Sequence, residues 1–128
     1  LGQWHLPDFL SFPRTVTALA LTISNVNRAQ DALGRRLLVE NPSHYGDVGG
    51  HAMPEHEFLA QLALATGCGL LVDVNNIHVS AHNLGQDAGW LVDQLPADAV
   101  GEIHVAGHRP DDSGQLLIDS HDAPVAGP

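Results

Sequence analysis

Lysine is absent from the 128 residues, and five arginines face fifteen acidic side chains, a formal net charge of −10. Nucleic-acid affinity comes mainly from neutralising phosphates with basic groups, so this balance argues against nucleic acid as a partner. The same shortage argues against anionic membrane surfaces. A single cysteine, Cys68, excludes an internal disulfide framework and fits a reducing, cytoplasmic compartment. No apolar run is long enough to span a bilayer, and no signal peptide is visible. Also missing are a glycine-rich phosphate loop and a Ser-His-Asp order. What remains, with 44% hydrophobic residues, is the composition of a soluble globular protein. Its acidity is either a solvated surface or partly matched by bound cations.

Against these absences stands the stretch Gly69–His82. It begins as the apolar run Gly69-Leu70-Leu71-Val72, the pattern of a strand buried on both faces of a parallel sheet, and then presents Asp73, Asn75, Asn76 and His78. Two further segments repeat the design: Arg36–Glu40 followed by Asn41, and Val100–Val105, which carries Glu102 and His104. The separation is 33 residues from Glu40 to Asp73 and 31 from Asp73 to His104. A βα unit takes roughly 30 residues, so the three polar ends are expected to converge on one rim of an α/β barrel. Because a (β/α)8 barrel needs roughly 250 residues, the chain is expected to be about half of one, a single partial domain over residues 1–128.

Taken in order, residues 1–13 read as a connecting loop and about 15–33 as a helix stopped by Gly34. Arg36–Glu40 is a short buried strand, Asn41–Gly46 a turn, and Asp47–Ala52 a glycine-rich, mobile segment. Pro54 opens a helix with Phe58, Leu59, Leu62, Ala63 and Ala65 on its apolar face, stopped by Gly67. After the strand 69–74, His78–Gln86 is expected as a rim loop, and Asp87 caps a short helix to Leu95 with Trp90 and Leu91 buried. Val100–Val105 is the third strand. Gln115–Asp119 is a further apolar run, and Val125–Pro128 reads as loop.

The polar groups at strand ends are Glu40, Asn41, Asp73, Asn75, Asn76, His104, His108, Asp119 and His121. Carboxylate, imidazole and amide oxygen suit iron, manganese or zinc, and the lack of thiolates among them excludes a cysteine-type structural zinc. Period-two geometry at a strand end would let Asp119 and His121 face one way. Asn41, Asn75 and Asn76 have turn-making as a rival role, with one a ligand and the others orienters. His5, His44, His51, His56 and His82 read as solvated or structural, and His78 stands between the two roles. Cys68 precedes its strand, at the face opposite to barrel active sites, and reads as packing. Arg109 in its loop is a weak sign of anion binding.

Four ordered motifs carry a resemblance: Leu38-Val39-Glu40-Asn41-Pro42-Ser43, Thr66–Asn76, Glu102-Ile103-His104-Val105-Ala106-Gly107-His108, and Ile118-Asp119-Ser120-His121-Asp122. Together they resemble the multinuclear iron TIM-barrel family of MbnB and TglH, in its middle-to-later part. That family is similar in architecture to xylose isomerase and endonuclease IV barrels. The resemblance implies that Glu40 bridges metals, that Asp73 and His104 hold one ion, and that Asn76, Asp119 and His121 hold another. His108 would be the catalytic group, acting on protons or beside the ligands. Two or three irons would be bound in the full-length parent. The implied reaction is oxidative modification of cysteine in a ribosomally made peptide, presented by a partner protein. Two histidine ligands before residue 1 and a glutamate after Pro128 would complete the family site. Position 78, commonly tyrosine in the family, is His78 here. The isolated chain is therefore expected to be inactive, with an open sheet edge that invites homo-oligomerisation. Two alternatives remain: a metal-dependent hydrolase or sugar isomerase-like barrel, and a non-catalytic truncated remnant. The charge disfavours a DNA substrate, and the absence of lysine disfavours the isomerase.

Overall fold

A threonine cap on the first helix and a glycine stop on each bound the first two helices. The computed structural model describes residues 11–125. Helix α1 (Val16–Leu33) begins where the Thr15 hydroxyl accepts a hydrogen bond from Ala18 N, and it ends where Gly34 adopts φ 64°. Helix α2 (Glu55–Thr66) follows Pro54, which is its N-cap rather than its first residue. Glu55 and Glu57 occupy the first turn, at the positive end of the helix dipole. Leu19 and Val26 of α1 pack with Phe58, Leu62 and Ala63 of α2 and with Cys68, forming one core. The Gln30 amide ties this layer to the sheet: Nε2 donates to Thr66 O and Oε1 accepts from Leu37 N, each at 3.0 Å.

Strands β1 (Leu38–Glu40), β2 (Gly69–Asp73) and β3 (Val100–His104) form a parallel sheet in that order. Strand β2 is central, and its Leu70 and Val72 meet Leu59 and Ile77 in a second core. The register sets Leu38 opposite Gly69 and Asp73 opposite His104. A Cβ on Gly69 would lie 2.5 Å from Leu38 Cδ2, so glycine is what admits the leucine. This sheet brings the three expected polar strand ends to one edge of the molecule.

Several expectations need correction. Strands β1 and β3 are largely exposed rather than buried, because each has a strand neighbour on one side among the described residues. They are also shorter than expected, with Arg36, Leu37 and Val105 outside them. The segment read as a rim loop is helix α3 (Val74–Leu84). The Asp73 carboxylate caps it by accepting from Asn76 N at 3.0 Å, and Ile77, Val79 and Ala81 supply its buried face. Asn75 and Asn76 therefore sit in a first helical turn rather than a loop. Asp87 does cap a helix, α4 (Ala88–Asp93), but Trp90 is 53% exposed, its indole ring T-shaped against that of His56. Ala65 is likewise exposed, since the core contact of α2 runs along Phe58, Leu59, Leu62 and Ala63.

The apolar run after Gly114 does not join the parallel sheet. Strand β5 (Leu117–Ile118) pairs antiparallel with β4 (Arg109–Pro110) in a small hairpin. Asp111 Oδ1 accepts from Gln115 N and Leu116 N and turns the chain back. Asp47–Ala52, expected as a mobile segment, is tied at its end. Arg14 N donates to His51 Nδ1, and Ala52 N donates to Arg14 O, both at 3.0 Å. The readings placed on residues 1–10 and 126–128, His5 among them, lie outside the described residues. No helix among the described residues is long and apolar enough to cross a membrane.

Candidate metal centre

Asp73 ends the buried strand with no exposed surface. A carboxylate without water needs its charge met by hydrogen bonds or cations. Its Oδ1 is used by the α3 cap, while Oδ2 lies 2.8 Å from His104 Nδ1 and 3.6 Å from His121 Nε2. The backbone of Asp73 is clamped by the buried Asn41 amide, which accepts from Asp73 N at 2.8 Å and donates to Asp73 O at 3.0 Å. Asn41 is thus an orienter, extending the β-ladder with its side chain. One ligand atom each from Asp73, His104 and His121 lies within 4.8 Å of the others. Two imidazoles and a carboxylate form a donor set used for non-haem iron and for catalytic zinc.

Glu40 stands beside this trio, 4.0 Å from His104 Nδ1. Its carboxyl is held above the ordinary range by desolvation and then by the neighbouring Asp73 charge, with the two imidazoles pulling the other way. Two carboxylates this close to each other are a natural seat for positive charge.

Asp119 and His121 are adjacent, but not by strand geometry. Strand β5 ends at Ile118, and His121 takes a left-handed conformation, φ 54°. That turn swings its ring to Asp73, while its Nδ1 lies 2.8 Å from Asp119 Oδ1. The turn lies against Gly107, where a Cβ would lie 1.9 Å from Ala123 O, so no larger residue fits.

Ser43 was not expected at the site. Its hydroxyl lies 2.8 Å from Asn76 Oδ1 and 3.0 Å from Asp119 Oδ2. The Asn76 amide faces this way because its Nδ2 donates to Asn41 O at 2.9 Å. Two acceptor oxygens therefore converge on one hydroxyl hydrogen, which can serve one of them well. A cation would satisfy what that hydrogen cannot. Here the residues fit a bound metal, and Asn76 and Asp119 line the same cavity of about 590 Å³ as Glu40, His104 and His121. Nothing in the spacing of the sequence marks Ser43, or Tyr45, whose hydroxyl accepts from Asp119 N at 3.1 Å.

His108 stands apart from the trio and outside that cavity's lining. It is joined to Asp119 through Asn75, and its ring lies 4.8 Å from that of His78, centre to centre. Desolvation lowers the basicity of His78, helped by the nearby His108 and His82 imidazoles. Other readings hold. Cys68 is buried in the core. His44 is structural, bonded to Ser11 and Glu55. Arg109 is occupied by Asp122 at 2.7 Å.

A family model described as RiPP precursor modification enzyme MbnB/TglH/ChrH matches residues 1–128. The chain belongs to this family. Among curated relatives, a UPF0276 protein of Caulobacter sp. (strain K31) is 58% identical over 123 residues, 95% of this chain and 45% of the relative. One from Caulobacter vibrioides (strain NA1000 / CB15N) is 60% identical over the same share of the chain and 44% of its own length. A UPF0276 protein of Chromobacterium violaceum is 44% identical over 94% of the chain and 43% of its own length. The chain thus spans less than half the length of these curated relatives.

Proposed function

We propose that residues 1–128 are one partial domain, about half of a xylose isomerase-like (β/α)8 barrel, whose C-terminal rim carries an iron centre. Parallel strands ending in Glu40, Asp73 and His104 support the barrel. The family's description supports a ribosomally made precursor peptide as substrate. Within the whole protein the reaction is oxidative modification of a cysteine of that peptide, delivered by a partner protein. Asp73, His104 and His121 are the groups for a first ion. Asn76 and Asp119 are groups for a second, with Glu40 between them. Iron, when bound, supplies dioxygen activation and a seat for the cysteine thiolate. The chain's own part is to hold those groups and to manage protons at the rim, where His108 is the candidate acceptor.

The observation that carries this reading is the fully buried Asp73 carboxylate shared between two imidazoles. Metal analysis of the full-length protein tests it, alongside Asp73→Asn, which keeps a helix-capping side chain. More than one iron per chain in the parent, and a loss of more than tenfold in the variant, is the expected result. Stoichiometric zinc with no dioxygen consumption would instead favour a metal-assisted hydrolase, which the same donor set serves.

A further inference from the structure

Asn75 is buried at 5% exposure in the first turn of α3, and its amide touches two groups that sequence separation alone would not join. Its Nδ2 lies 2.7 Å from Asp119 Oδ1, and its Oδ1 lies 2.9 Å from His108 Nδ1. An ionised carboxylate can only accept hydrogen bonds, so the amide must turn its NH2 to Asp119. A flipped amide would set oxygen against oxygen at the 2.7 Å separation of a direct hydrogen bond. The amide oxygen then faces His108, and an amide oxygen also only accepts. His108 Nδ1 must therefore carry the hydrogen. In the neutral ring that leaves the lone pair on Nε2.

We propose that Asn75 is a positioning residue that locks His108 in its Nδ1–H tautomer, so that Nε2 is the atom that accepts a proton at the rim. Asp119 is fixed from the other side, by Ser43 Oγ at Oδ2 and His121 Nδ1 at Oδ1. The orientation therefore passes from the metal side of the cluster outward to His108. The His108 ring lies 4.8 Å, centre to centre, from the exposed His78 ring, so a second imidazole stands beside it. The consequence for turnover rests on the function proposed above, whereas the tautomer does not.

The test is two-bond ¹H–¹⁵N spectroscopy of the histidines in the full-length, chelator-treated protein, at a pH where imidazoles are neutral. His108→Gln assigns the signal. The expected pattern is a protonated Nδ1 and a bare Nε2 in the parent. Asn75→Ala should move His108 toward the Nε2–H form that free neutral histidine prefers. An Nε2–H ring in the parent, or an unchanged ring in Asn75→Ala, overturns the proposal. The parent spectrum decides even if Asn75→Ala does not fold. In iron-loaded protein of equal metal content, Asn75→Ala should lower kcat about tenfold with KM within about twofold, and parental turnover would overturn the positioning role. If the parent neither binds iron nor oxidises peptide, the proposed function has failed, while the tautomer spectra still decide which nitrogen of His108 carries the hydrogen.

Discussion

The two ends of strand β2 are equally buried and oppositely built. At one end Cys68 packs among Leu19, Val26, Phe58 and Leu62, where burial removes apolar surface from water and stabilises directly. At the other, Asp73 is sealed against two imidazoles and an amide, where burial costs free energy unless charge is compensated. A single strand thus runs from the part that folds the chain to the candidate metal centre. Substitutions at the two ends should fail in different ways.

The largest effect on stability belongs to the apolar end. Leu62, with no exposed surface, sits between the two helices. Leu62→Ala should destabilise the full-length protein by about 2–5 kcal/mol through lost contacts and a cavity. Denaturant unfolding measures this, and iron content per folded molecule should be unchanged. A variant that loses metal while keeping its stability would erase the contrast.

Asp73→Asn should do the reverse. Iron affinity should fall by roughly a hundredfold, because the site loses its central charge. Stability of the chelator-treated protein should shift by less than about 1 kcal/mol, since asparagine still caps α3. Competition with a chromogenic chelator reads the first quantity and thermal unfolding the second. A large stability loss without metal would mean that the Asp73 contacts hold the fold itself.

Ser43→Ala probes the same end more gently. With the hydroxyl gone, Asn76 Oδ1 and Asp119 Oδ2 face each other without a hydrogen between them. Metal-free stability should drop by about 1 kcal/mol, and added metal should restore part of it. Unfolding curves with and without metal decide this, and equal losses in both would count against a cation among those oxygens.

The division between the two ends also explains what could be read in advance. Strand β2 was legible because Leu70, Leu71 and Val72 form a short apolar run preceded by Gly67 and Gly69 and followed at once by polar residues. The convergence of Asp73 with His104 followed from one βα period. Helix α3 was missed because Asn75, Asn76 and His78 suggest a loop, although Asp73 three residues before Asn76 was a usable cap signal. The left-handed backbone at His121 left no trace in the sequence, and without it the residue would not reach Asp73. Ser43 and Asn75 were legible as residues but not as partners of Asp119, because tertiary packing alone brings them there.

A carboxylate outside both ends offers the smallest effect and a control. Asp111 is partly exposed, and hydrogen bonds from Leu116 N, then from Ser113, hold its pKa down to about 2 from the ordinary 3.8. A depressed carboxylate stabilises the folded hairpin above the unfolded value and loses that contribution as pH falls through the folded one. The turn should therefore keep its support at neutral pH and yield between 3.8 and about 2. Amide shifts of Gln115 and Leu116 should titrate with a midpoint near about 2, and Asp111→Ala should abolish that titration. The partners of Asp111 are N–H and hydroxyl groups rather than imidazoles, so metal addition should leave this midpoint in place. A midpoint that moves with metal would show that the hairpin is coupled to the rim. Asp111 would then belong with Asp73 rather than stand as its contrast.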